Sequence, residues 1–87
     1  MNNFDAFCKN YGISNIIRTY TNMYRTNEGT PTLWQETVMA DENGNVFVES
    51  SHKGIDGNDF VWSEDEYYFC DKSFEDEVAE LDRLASL

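Results

Sequence analysis

The chain has 87 residues, enough for one domain over 1–87 and too few for two. Seventeen Asp and Glu against six Lys and Arg give a net charge of −11, which argues against direct contact with nucleic acid or an anionic membrane and favours basic partners. Six Phe, five Tyr and two Trp supply large apolar area, although a domain of this size buries only about 60% of its unfolded surface.

The first segment, NNFDAFCKNYG, spaces Phe4, Phe7, Cys8 and Tyr11 by three and four residues. That spacing predicts a short amphipathic helix with Asn2 or Asn3 as N-cap and Gly12 just past its end. ISNIIRTYTNMYRT is rich in Ile, Thr and Tyr and reads as strand, NEGTP as loop, and TLWQETVMA as strand again. Asn43-Gly44 then lies between two β-prone runs, the favoured pair for positive φ in a tight hairpin. Beyond it, Val46 and Val48 fall on one face and Phe47 and Glu49 on the other. SHKGIDGND reads as a polar loop with two glycines.

From Ser63 to Asp71 two readings compete. Ser63 with Glu66 fits a capping box that would open a helix, whereas YYFC has the aromatic density of a strand, the preferred reading. Ser73, followed by Glu75, Asp76 and Glu77, is an N-cap with acids in the first turn, where the helix dipole favours them. Phe74, Val78, Leu81 and Ala85 form the apolar stripe of that last helix, with Leu84 beside it and the acids around the remaining circumference. The expected fold is α+β: a short N-terminal helix, an antiparallel sheet of three or four strands, and an amphipathic, acidic C-terminal helix across one face.

Recognisable catalytic chemistry is sparse. His52, the single histidine, sits in the expected loop and reads as a solvated side chain. Cys8 and Cys70 are too few for a disulfide framework, and no apolar run has the length of a signal or a membrane span, so the expectation is a cytoplasmic protein with free, structural thiols. One His and two scattered Cys do not make a zinc site. Asp41, Asn43 and Asn45 fit the first positions of a calcium loop, but Val46 stands where Gly is required and His52 where Glu belongs, so the hairpin accounts for them better. Carboxylate pairs are too numerous to single one out, and the five glycines are isolated. No cofactor is expected, and a small hydrolase is the weakest alternative.

Charge is unevenly placed. Residues 1–40 hold three acids and three bases, so the entire net charge belongs to residues 41–87. Nine acids and one base lie between Glu64 and Asp82, interleaved with Tyr67, Tyr68 and Phe69 and preceded by Trp62. A solvated, solubilising face is the plain reading. Self-repulsion of this size costs stability, however, and aromatics anchor protein interfaces. Glu64, Asp65, Glu66, Tyr67, Tyr68, Asp71, Glu75, Asp76, Glu77, Glu80 and Asp82 are therefore the expected partner-binding residues. Helix-borne acids lie about 5–6 Å apart, close enough to phosphate spacing to occupy a basic nucleic-acid groove, and duplex DNA carries about one charge per 1.7 Å.

In size, acidity, aromatic content and the run SEDEYYFCDKSFEDEVAELD, the chain resembles small phage-encoded anti-CRISPR proteins and related DNA-mimic inhibitors. The resemblance implies a non-enzymatic α+β inhibitor that covers a basic surface of a CRISPR effector subunit or nuclease; the residues themselves are compatible with a monomer or with a homodimer through the sheet edge or the N-terminal helix. An immunity protein or antitoxin neutralising a basic nuclease toxin is the alternative of the same physical kind.

Overall fold

The computed structural model describes residues 3–55 and 61–87. Its elements in chain order are α1 (Asn3–Tyr11), β1 (Ile16–Thr26), β2 (Thr32–Asp41), β3 (Val46–Gly54), β4 (Glu66–Phe69) and α2 (Phe74–Ala85). The strands form one antiparallel meander in the order β1-β2-β3-β4, so the expected α+β fold is observed with four strands. Within Ser63–Asp71 the strand reading holds for Glu66–Phe69. Ser63 caps no helix; its hydroxyl accepts the His52 backbone N–H at 3.0 Å.

Each face of the sheet takes one helix. On the first, Val38, Ala40 and Val48 pack under Phe74 and Leu81 of α2, with Tyr20, Tyr24, Val46, Cys70 and Val78 around them. The predicted stripe of α2 is the face that is buried, and Ser73 caps it by accepting the Asp76 backbone N–H at 3.2 Å. On the second face, Phe47 is wholly buried and meets Phe4 and Phe7 of α1 at ring distances of 6.4 and 5.1 Å. Phe7 also stacks on Tyr67 at 5.4 Å, and Tyr11 meets the edge of Phe69 at 5.1 Å. Gly12 ends α1 at φ 66°, the left-handed geometry expected of a residue past a helix end. The predicted cap at Asn2 lies outside the described residues, and Asn3 is already helical.

Two local expectations are corrected. Only Gly44, at φ 87°, takes a positive φ in the β2–β3 hairpin; Asn43 does not, so the turn is not the two-residue primed type. The Gly44 N–H donates to the Asp41 carbonyl at 3.2 Å instead, in a longer loop. The expected polar loop from Ser51 is strand as far as Gly54, because β2 continues to Thr32 and offers ladder partners to Ser51, His52 and Lys53. Pairing there overrides weak β-propensity. The end of that predicted loop, 56–59, with its second glycine, lies outside the described residues.

Asp41 explains why the hairpin takes this form. Its carboxylate is 1% exposed and accepts the backbone N–H of Ser14, Asn43 and Asn45 and the Asn45 side-chain amide, at 2.8–3.0 Å. These donors occupy the lone pairs that a calcium reading would need. Burial alone pushes the Asp41 carboxyl up, but the hydrogen bonds from Asn45, Ser14 and Asn43 outweigh it and hold the pKa below the ordinary value. A depressed pKa contributes stability above the unfolded value of 3.8 that is lost as pH falls through the lower folded value. Asp41→Ala leaves several N–H groups without an acceptor and is expected to cost about 2–4 kcal/mol. It should also flatten the acid limb of a melting-temperature profile, which thermal denaturation between neutral and acid pH measures.

Candidate functional site

The acidic region is built by β4, the connection after it, and α2. As an edge strand, β4 has one side unpaired among the described residues. Glu64 and Asp65 lie just ahead of it and Glu66 opens it; all three are exposed. Among the described residues the ion pairs are Arg18–Glu75 and Arg83–Glu80, so Glu64, Asp65 and Glu66 have no cationic partner there. Asp71 is exposed in the β4–α2 connection, and Asp76 in the first turn of α2.

The other expected acids are engaged within the chain, which corrects the picture of α2 as a free row of charges. Glu75 pairs with Arg18, whose guanidinium also lies 4.0 Å from the centroid of the Phe74 ring. Asp82 accepts from the Tyr20 hydroxyl and, at 3.1 Å, from the Asn22 amide. Glu75 and Asp82 are seven residues apart, on one flank of α2, and that flank lies over β1. Glu80 pairs with Arg83 of the same helix. Glu77 lies beside the Cys70 thiol, which burial, aided by Glu77, pushes up to about 12 and keeps protonated at neutral pH.

Tyr67 and Tyr68, neighbours in sequence, point to opposite faces. Tyr67 packs under α1 and donates to Glu49 Oε2 at 2.6 Å, so it belongs to the core. Tyr68, 44% exposed, and Phe69, 43% exposed, show their rings at the edge. Trp62 is half-buried, with the Lys53 ammonium 4.9 Å from its ring centroid. An open groove of about 520 Å³ lies beside this edge, lined by Asn3, Phe4, Glu49, Glu64, Asp65 and Tyr67. Three carboxylates above two aromatic rings suit a Lys or Arg side chain, through ion pairing and ring–cation attraction together.

A second cluster was not anticipated. Glu36, 9% exposed, presents Oε2 to the hydroxyls of Tyr68, Tyr24 and Ser50 at 3.2, 3.3 and 3.3 Å. Alternation along β2 carries the clue, since Glu36 shares the parity of Val38 and Ala40 and must face the same core. His52 belongs to the neighbouring row. It is half-buried rather than solvated, 4.6 Å from Trp34, with Nδ1 3.3 Å from the Ser63 hydroxyl. That hydroxyl is already occupied by the His52 backbone N–H, so the pair ties the chain down as a structural clasp.

Burial, together with the Glu36 charge, pushes the Tyr24 phenol up to about 12 and raises Tyr68 as well; burial and Glu49 raise Tyr67. A raised pKa contributes stability that is complete below the unfolded value of 10.0 and lost as pH rises through the folded values. Alkaline titration is therefore expected to release these phenols late and together, with the tyrosinate absorbance step coinciding with loss of the circular dichroism signal. Early ionisation in a still-folded protein would contradict it.

Comparison with protein-family models, curated proteins and solved structures finds no match to this chain.

Proposed function

We propose that the protein is a non-enzymatic inhibitor that binds a basic, nucleic-acid-binding surface of another protein, such as a CRISPR effector subunit or a nuclease, through the acidic β4 edge. The observation that supports this most is the set of exposed carboxylates Glu64, Asp65 and Glu66, unpaired among the described residues, beside a groove with aromatic walls and next to the exposed rings of Tyr68 and Phe69. Uncompensated like charge is unfavourable to the isolated fold and favourable to encounter with a cation. Lys or Arg side chains that ordinarily contact phosphates meet carboxylates here, and the groove has room for one of them to enter. Asp71 and Asp76 extend the contact towards α2. Glu75, Glu80 and Asp82, tied to Arg18, Arg83 and Tyr20, contribute field rather than direct contacts.

Recovery of binding proteins from a host lysate at low and at high salt tests this reading. A basic nuclease or effector subunit retained at low salt and released at high salt is the expected result. Recovery of an acidic or salt-insensitive partner, or of none, would return the acids to a solubilising role.

A further inference from the structure

We infer that β1 is a pairing edge for a second copy of this chain, joining two four-stranded sheets into one of eight. β1 runs for 11 residues at the edge opposite the acidic one. An edge of that length is ordinarily blunted by charged side chains, by Pro or by a bulge along its middle; β1 has no Pro, and its two cations are tied within the chain, Arg18 to Glu75 and Arg25 to the Asn27 side chain. Here the register is regular from Arg18 to Thr26, the irregularity being confined to the start, between Ile16 and Arg18. The Met23 backbone N–H is met by the side-chain oxygen of its own neighbour Asn22, at 2.8 Å, rather than by a strand. Alternation in the ladder then places the N–H and C=O of Thr19, Thr21 and Arg25 on the same outer side.

The surface around this edge shares the same character. α2 covers β1 and β2 on the Val38 face, whereas α1 packs against β4 and Phe47 on the other. The second face of β1 is left with Ile17, 62% exposed, and Met23, 40% exposed, among exposed threonines.

Charge selects the occupant. No acid lies between Asp5 and Glu28; of the α2 acids that flank β1, Glu75 is neutralised by Arg18, while Asp82 accepts only from the uncharged Tyr20 hydroxyl and Asn22 amide and keeps its charge. Two molecules of net charge −11 can approach with least repulsion here, and a basic target is least attracted here. Antiparallel self-pairing about Thr21 keeps both helical faces on common sides. It sets Thr19 opposite the partner's Met23 and Arg18 opposite the partner's Tyr24, with no like charges opposed.

Light scattering and sedimentation over a range of protein concentrations test the proposal, at roughly 0.05 M and 0.5 M salt. The expected result is twice the 10.1 kDa chain mass. Association should strengthen at high salt, the opposite of the dependence expected for a basic target, so either reading can fail alone. Thr21→Pro removes an outward N–H and Met23→Lys adds charge at an exposed position; neither takes a backbone hydrogen bond from the β1–β2 ladder, although the first also loses the exposed Thr21–Thr37 hydroxyl contact. Both are expected to give the single-chain mass with an unchanged circular dichroism spectrum, whereas Val61→Lys, 77% exposed and remote from β1, should still dimerise. In the wild type, exchange of the Thr19, Thr21 and Arg25 amides should slow about tenfold or more as concentration rises. A single-chain mass under all conditions overturns the proposal. So does a dimer that survives in both variants, or protection of those amides that appears only with a different protein.

Discussion

Phe47→Ala is expected to remove about 3–5 kcal/mol of stability, the largest effect of any single truncation in the described chain. Phe47 is 0% exposed, sits in a central strand, and is the surface on which Phe4 and Phe7 of α1 rest. Its loss leaves a cavity between sheet and helix that backbone-paired β3 cannot collapse to fill. Domains of this size hold about 5–15 kcal/mol in total, so the variant should unfold at markedly lower urea concentration or lose α1 first. Urea denaturation measures the cost. Amide exchange separates the two outcomes, because local loss of α1 leaves the β1–β2 amides protected. A cost below about 1 kcal/mol would show that α1 is not held on the sheet at all.

Simultaneous reversal of Glu64, Asp65 and Glu66 to Lys is expected to weaken binding to a basic partner by about 100-fold or more. Each of the three is exposed, so the fold should tolerate the change to within about 1 kcal/mol. Much of the loss should appear in the association rate, and the salt dependence should shrink with it. Reversal of Glu75 and Glu80 is the informative comparison. Their side chains, 66% and 33% exposed, already face Arg18 and Arg83. Exposed pairs of this kind contribute about 0–1 kcal/mol, so that variant should fold and lose far less affinity. Titration calorimetry with the partner recovered from lysate checks both. A larger loss from the Glu75 and Glu80 reversal would place the contact on α2 rather than at the β4 edge.

Element type was legible wherever the side-chain pattern was strong. α1 and α2 announce themselves by apolar spacing, and the Ser73 cap by its hydroxyl and the acids after it. The sequence misled where pairing rather than propensity decided the outcome. Ser51, His52 and Lys53 are poor strand residues held in β3 by β2. The candidate site was legible as a region and not as a set. Counting acids cannot reveal that Glu75 reaches Arg18 or that Asp82 reaches Tyr20, since those partners come from the far end of the chain. Neither does composition distinguish Tyr67, under α1, from Tyr68, at the edge; one step along a strand exchanges faces. Glu36 was the readable omission, because its parity within β2 already placed a carboxylate on the apolar side.

The Arg18–Glu75 and Tyr20–Asp82 contacts span 57 and 62 residues, so α2, made well after β1, closes over that strand. Until α2 has left the ribosome, the apolar face made by Tyr20, Val38 and Val48 has no cover, and the nascent chain carries an open hairpin ladder with one hydrophobic side. Completion of this fold is thus coupled to synthesis of α2. A stop codon a few residues early in α2 would leave the strands paired, sticky and short of the helix that makes them a domain.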